Sequence, residues 1–311
     1  MLNKESKLKF KTFAYSLIGF LLLTGIFIFN REYSKNIEIC GSDLINDLRS
    51  SANSGKIHIN NNWTATKTAG ICTGEGTESN PYLLENLVID AGGVGNAIQI
   101  ENTTQYFEIK NCTLFNAGLG FDDSGISLLN VRNGRIINNT MYGNVHGMSI
   151  DSCLNLKIVK NKMINNQYGL GMVFTNESIF YLNSFALNSI VQFASQWSYI
   201  DHYSKEKFSY TYNGRTFTNY LGNYWGGYSG LDEDGDGIGD TPYIVYSYVP
   251  DNPDLKDFYP LIEPISAYSN ITKAVIPGFN LISLLAVAGL ITILLTITYR
   301  KSVNKLKIES A

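Results

Sequence analysis

A repeat in the middle of the chain constrains the fold more than any other feature. Four segments align, opening at Ala97-Ile98-Gln99-Ile100, Gly125-Ile126-Ser127-Leu128, Gly147-Met148-Ser149-Ile150 and Gly169-Leu170-Gly171-Met172, with starts 28, 22 and 22 residues apart. An asparagine recurs later in each unit, at Asn111, Asn139, Asn161 and Asn183. A second follows five residues on, at Asn116, Asn144, Asn166 and Asn188. Apolar residues alternate at Ile98/Ile100, Ile126/Leu128, Met148/Ile150 and Leu170/Met172, which is the period of a half-buried strand. Two further short strands per unit are expected, the last with Met141, Met163 and Phe185 pointing inward. Helical periodicity is absent. A unit of about 22 residues with three short strands predicts an all-β parallel β-helix, whose coils stack at the inter-strand distance of about 4.8 Å. At coil corners asparagine tolerates left-handed backbone. Stacked in columns, its amides satisfy turn backbone. The glycines at 125, 147 and 169 read as tight turns, and the six extra residues of the longer unit as a loop near Leu119–Ser124.

The repeat spans about residues 57–190. A cap over 31–56, with a short helix near Ser42–Ala52, is expected to cover the open end. Residues 191–262 read as irregular coils and a second cap, and 263–273 as a linker. Residues Thr12–Phe29 and Ala274–Tyr299 carry no charge, and both have lysines or an arginine on their outer flank. A bilayer core needs about 20 apolar residues as helix. The chain is therefore expected to carry a hydrophobic helix at each end: a signal peptide or anchor over 1–30 and a transmembrane helix over 274–299. The positive-inside rule then puts the tail 300–311 in the cytoplasm and the domain outside the cell membrane. There Cys40 and Cys72 are the better candidates for a disulfide. Cys112 and Cys153 read as buried small hydrophobes.

Lys+Arg number 24 against 27 Asp+Glu, a net charge of −3. That argues against nucleic acid as a partner. The sharpest local signal is Asp232-Glu233-Asp234-Gly235-Asp236-Gly237-Ile238-Gly239-Asp240. Alternating carboxylates in a tight turn converge on one hard cation. Asp232, Asp234, Asp236, the Ile238 position and Asp240 predict a structural Ca²⁺ site. Tyr243 stands where an EF-hand would have its glutamate, and flanking helices are not apparent.

In the regular coils the carboxylates available for sugar chemistry are Asp122, Asp123 and Asp151. Asp151 is expected to face Leu129 and Val173 in the adjacent coils, so it lacks a stacked partner of the kind paired-carboxylate hydrolysis uses. Exposed aromatics stack on sugar rings. Trp197, Tyr199, Tyr224 and Trp225 are the candidates, in a stretch that must also supply core.

The asparagine-rich coils resemble the right-handed parallel β-helix repeats of the NosD-like and carbohydrate-binding/sugar-hydrolase (CASH) group. So do Asn223-Tyr224-Trp225-Gly226-Gly227-Tyr228-Ser229-Gly230 with the acidic loop, Asp257-Phe258-Tyr259-Pro260-Leu261, and Gly74-Glu75-Gly76-Thr77 with Asn80-Pro81-Tyr82. The Pro277-Gly278-Phe279 lead is similar to that of archaeal cell-surface proteins. The resemblance implies one of three roles. One is a membrane-anchored scaffold binding glycans or neighbouring proteins. Another is a polysaccharide hydrolase, lyase or epimerase. The third is an accessory factor for metalloenzyme maturation. His58, His146 and His202 form no close pair in sequence, which gives copper ligation little footing. The residues leave open whether the chain is an enzyme.

Overall fold

The computed structural model describes residues 55–120, 123–247 and 255–274. The chain winds as a right-handed parallel β-helix. Each coil contributes one strand to each of three sheets. The first sheet stacks Ile57–Asn60, Ile98–Thr103, Ser124–Val131, His146–Asp151, Tyr168–Val173, Val191–Gln196 and Tyr246–Ser247. The second runs from Tyr82–Glu85 to Tyr199–Asp201, and the third from Val88–Asp90 to Tyr224–Trp225. All their pairings are parallel. Ile98 pairs with Ile126, Ile126 with Met148 and Met148 with Leu170, so the repeat in the sequence is the register of the sheet.

The period-two pattern buries alternate side chains on the solenoid axis. Ile98, Ile100, Ile126, Leu128, Met148, Ile150, Leu170 and Met172 are all at most 1 % exposed. Met141, Met163 and Phe185 stack inward in the third sheet as expected. At the first coil the helix Trp63–Thr68 sets Trp63 against Tyr82 at 4.8 Å and Phe107 at 5.6 Å.

Two columns of buried asparagine amides hold the coils together. In one, the Asn139 amide N–H and Nδ2 both donate to Asn161 Oδ1 (3.0 Å each). Asn161 donates in the same way to Asn183 (3.0 and 3.1 Å), and Asn183 to Asn223 (3.1 and 2.9 Å). Each Nδ2 also reaches a carbonyl of the preceding coil, as Asn161 does to Ile136 O at 2.8 Å. The second column is Asn144, Asn166 and Asn188. These amides satisfy the groups that sharp corners leave orphaned inside an apolar core.

The first rung differs from the expected alignment by one residue. Cys112, not Asn111, donates its amide N–H to Asn139 Oδ1, while Asn111 pairs with Asn138 on the outside. The spacing there is 27 in the second and third sheets and 28 in the first. One of the six extra residues therefore lies at the corner 104–106, not in the loop near Leu119.

Stacking runs past residue 190, since Val191–Gln196 and Tyr199–Asp201 add another coil. A hairpin, Phe208–Tyr212 with Arg215–Asn219, then leaves the solenoid. Residues expected to be a linker supply its third strand, Tyr268–Lys273.

One expectation is corrected. Among the described residues no helix is long and apolar enough to cross a membrane. Trp63–Thr68 has six residues, far short of the ~20 a span needs. This overturns the transmembrane helix and the membrane-held topology with a cytoplasmic C-terminus. The hydrophobic runs that prompted them, the Ser42–Ala52 cap, Cys40 and Pro277-Gly278-Phe279 lie outside the described residues, but for Ala274. Cys72, Cys112 and Cys153 are buried free thiols.

Asn161→Leu keeps the branched side-chain skeleton but strands the Asn139 N–H and the Ile136 carbonyl. It is expected to cost about 2–5 kcal/mol in urea unfolding. Asn155→Gly, which removes an exposed amide bonded to Asn133 and tolerates the left-handed backbone there, should cost under about 1 kcal/mol. Equal losses would mean that the buried column is not what holds the coils.

Candidate functional site

The acidic loop lies against the hairpin sheet. Asp232, Asp234 and Asp236 bring carboxylate oxygens within 4.8 Å of one another, a cluster able to coordinate a metal ion. Backbone N–H groups order them: the Asp236 amide donates to Asp232 and Asp234, and the Gly237 amide to Asp232. Burial, followed by the neighbouring acids, raises the Asp236 pKa against hydrogen bonds from Asn219 and the Ile238 amide. The Tyr210 hydroxyl donates to the Asp236 carbonyl at 3.0 Å, and that of Tyr268 to the Gly237 carbonyl. Gly237 has φ +88°, and a Cβ there would meet the Tyr212 and Tyr268 rings at 2.8 Å. Its backbone is wedged between the hairpin and the last strand. Of the other expected ligands, Asp240 accepts the Glu233 amide at 2.7 Å, and the Ile238 side chain is buried in the hairpin core.

Of the catalytic candidates, Asp123 and Asp151 are held apart on different coils. Asp122 lies outside the described residues. Asp123 accepts the Gly95 and Gly120 amides at 3.2 and 2.9 Å and so braces its loop. Asp151 stands between Leu129 and Val173, as the register predicts, and accepts the Ser152 hydroxyl.

The aromatic candidates divide by burial. Trp225 is 1 % exposed, stacked between Phe185 and Tyr243, and donates Nε1 to Asp257 at 2.9 Å. That makes it core, not a sugar platform. Tyr224 is half-buried against the hairpin core. Trp197 and Tyr199 are 50 % and 71 % exposed.

Sequence reasoning missed Phe174, which stacks on Trp197 with centroids 5.0 Å apart and planes at 9°. The corner after each strand of the first sheet is left-handed: Asn102, Asn130, Ser152, Phe174 and Trp197 have φ between +48° and +55°. The first two hydrogen-bond to each other as a surface ladder. The last two are bulky aromatics in a conformation that costs such residues about 1–3 kcal/mol each. The next corner repeats the change, from Asn133 and Asn155 to Glu177 at φ +52°. Comparing the residue five places after each unit's opening, Asn102, Asn130, Ser152 and Phe174, would have shown the change.

Beside this pair lies a cleft of about 300 Å³ that includes Glu177, Tyr199, Ile200, Asp201 and Leu255. Behind it, His202 sits in a box of Phe180, Phe193 and Trp225, 1 % exposed and with no hydrogen-bond partner on either ring nitrogen. Burial lowers its pKa to about 3. Asp257 closes the asparagine column, its Oδ2 accepting the Asn223 amide at 2.7 Å and Nδ2 at 3.2 Å. Burial pushes its pKa up to about 7 against those bonds.

Fold and site together define a parallel β-solenoid domain that carries, after its last regular coil, a cluster of carboxylates able to coordinate a metal ion. Residues 30–230 match the family described as periplasmic copper-binding protein (NosD), and the chain belongs to that family. No curated protein and no solved structure matches the chain.

His202 and Asp257 give opposite pH dependences. The folded state excludes a proton from His202, so its contribution is full above about pH 6.5 and is lost as pH falls toward 3. The folded state retains a proton on Asp257, so its contribution is full below about pH 4 and is lost as pH rises toward 7. Between about pH 4 and 6.5 the two slopes oppose each other at about 1.4 kcal/mol per pH unit. Denaturant melts across that window should show stability falling with pH in His202→Phe and rising with pH in Asp257→Asn. Parallel profiles in the two variants would contradict this assignment.

Proposed function

We propose that this chain is a non-catalytic scaffold that binds glycans through the Phe174–Trp197 pair and Tyr199. One observation carries the reading: two stacked aromatic rings stand exposed at strained corners where earlier coils use asparagine or serine. Their outward faces offer the flat apolar surface that sugar C–H groups stack upon. Strain retained at exposed positions that core packing does not require is what a binding surface produces. A neighbouring protein could use the same patch. Nucleic acid is disfavoured by the net negative charge. Polysaccharide hydrolysis would need paired carboxylates, whereas Asp123 and Asp151 are engaged with backbone amides and a serine.

The family's description names copper, and the described residues do not fit that metal. His58 is bonded to Glu101, His146 is stacked on Tyr168, and His202 is sealed among aromatics. Burial pushes the Cys112 and Cys153 thiols up to about 11 and 12, far from the thiolate that copper needs. Met141, Met148, Met163 and Met172 are core. Among the described residues the one group of three convergent ligands is all carboxylate, which suits a hard cation.

We assign Ca²⁺ to that loop, in a structural role. The carboxylates sit on the turn that the Tyr210 and Tyr268 hydroxyls clamp to the hairpin sheet, so a bound ion would fasten that turn to the hairpin.

On a glycan array, a bound oligosaccharide should lose about tenfold or more in affinity when Trp197 becomes Ala. Phe174→Asn/Trp197→Asn, which restores the corner residue of earlier coils, should abolish binding without lowering the melting temperature. A double variant that still binds would remove the platform. Calcium at about a hundredfold above its Kd should add about 2.7 kcal/mol of stability to the unsubstituted protein and little to Asp232→Asn/Asp234→Asn. Calorimetry without heat, together with an unmoved melt, would remove the ion.

A further inference from the structure

The cleft beside the aromatic pair carries a chemistry of its own. Its two serines are already committed. Ser178 Oγ accepts the Leu156 amide and donates to the Asn176 carbonyl, and Ser198 Oγ accepts the Thr175 amide and donates to the Gln196 carbonyl. Among the described lining residues the charged ones are Glu177 and Asp201, beside Tyr199 and the apolar Ile200 and Leu255. Carboxylates next to an aromatic ring and an apolar wall suit a cation with several N–H donors on a carbon stem. They repel an anion.

The chain itself shows the match. Lys205 Nζ lies 3.1 Å from Asp201, in a pair whose side chains are 67 % and 42 % exposed. A pair that open to solvent is worth about 0–1 kcal/mol and is displaced at little cost. The negative field is local. Along the same outward column Asp201 follows Ile179, and Lys157 and Arg135 lie further back. Tyr199 is two residues from Trp197, at most about 7 Å along the chain, so one oligosaccharide can span platform and cleft.

We propose that the Glu177–Asp201 cleft is a subsite for a primary ammonium group, so that the preferred glycan bears free amino groups and uronic acid polymers are rejected. Lys205 is the built-in competitor for that subsite. The specificity for an amino sugar rests on the glycan reading above; the ammonium subsite itself does not.

The test is calorimetry on the full chain at about pH 5.5, where free carboxyl groups are ionised and amino groups protonated. The probes are a glucosamine oligomer, an N-acetylglucosamine oligomer of equal length, an oligogalacturonate and spermidine. The glucosamine oligomer should bind about tenfold more tightly than its acetylated counterpart, and the oligogalacturonate should not bind. Glu177→Gln/Asp201→Asn should erase the preference, and Lys205→Ala should strengthen it. Equal affinity for the two amino-sugar oligomers, or a preference that survives loss of both carboxylates, overturns the subsite and leaves the glycan reading standing. Spermidine binding that needs Glu177 and Asp201, with neither oligomer bound, supports the subsite and removes the glycan reading. No heat with either amine-bearing probe overturns the subsite.

Discussion

The structure depends on the hydrogen bond from one asparagine to the next. A solenoid of such short strands must turn three times per coil, and each turn leaves amide and carbonyl groups facing an apolar interior. The column Asn139, Asn161, Asn183 and Asn223 absorbs them. From Asn161 onward each Oδ1 takes two donors from the coil before it, and each Nδ2 reaches both neighbours. The core can then be plain hydrocarbon, with isoleucine, leucine, methionine and phenylalanine stacked on their own kind. Sheet register, corner conformation and core composition follow from keeping that column unbroken.

This also explains where the molecule departs from regularity. The exposed corners carry a second, weaker set of asparagine bonds, such as Asn130 to Asn102 and Asn155 to Asn133. Those face solvent, and their loss costs little. They are the positions at which sequence is free to change, and in the coil after Tyr168 it has changed at each corner. Phe174, Glu177, Leu182 and Leu187 all hold left-handed backbone, three of them exposed and Leu182 buried beneath the hairpin. The buried column passes through that same coil intact at Asn183 and Asn188. Rigid scaffold and variable surface thus share one strand-turn-strand path, separated only by which way a residue points.

Most of the coil architecture was legible because it is periodic. The alternation at Ile126/Leu128 and Met148/Ile150, and the spacing of Asn139, Asn161 and Asn183, place every strand of the regular coils. The alignment slipped by one residue at Asn111 because Cys112 fills the inward position with no amide to advertise it. The site was harder to read. Asp232, Asp234 and Asp236 stand out through their local spacing, and their carboxylates do cluster. Trp225 and Trp197 look alike in sequence, yet one is sealed over Asp257 and the other half in water. That difference is set by the chain returning through residues 255–262, which no local pattern foretells. The paired partner Phe174 was hidden by its ordinary apolar character. The hydrophobic runs at the ends were read from uncharged length and the basic residues that flank them.

The asparagine column also has a direction. Every amide donates toward the C-terminal end, so its final member must accept without passing a donor on. Asp257 does this, gathering the Asn223 and Trp225 donors on one oxygen. At the opposite end Cys112 needs to give only its backbone N–H. The two ends are chemically distinct, but every rung between them is interchangeable. Whole coils could be duplicated or excised in evolution without redesigning either terminus, whereas a fractional insertion would have to bulge outward, as the extra residues before Ser124 do.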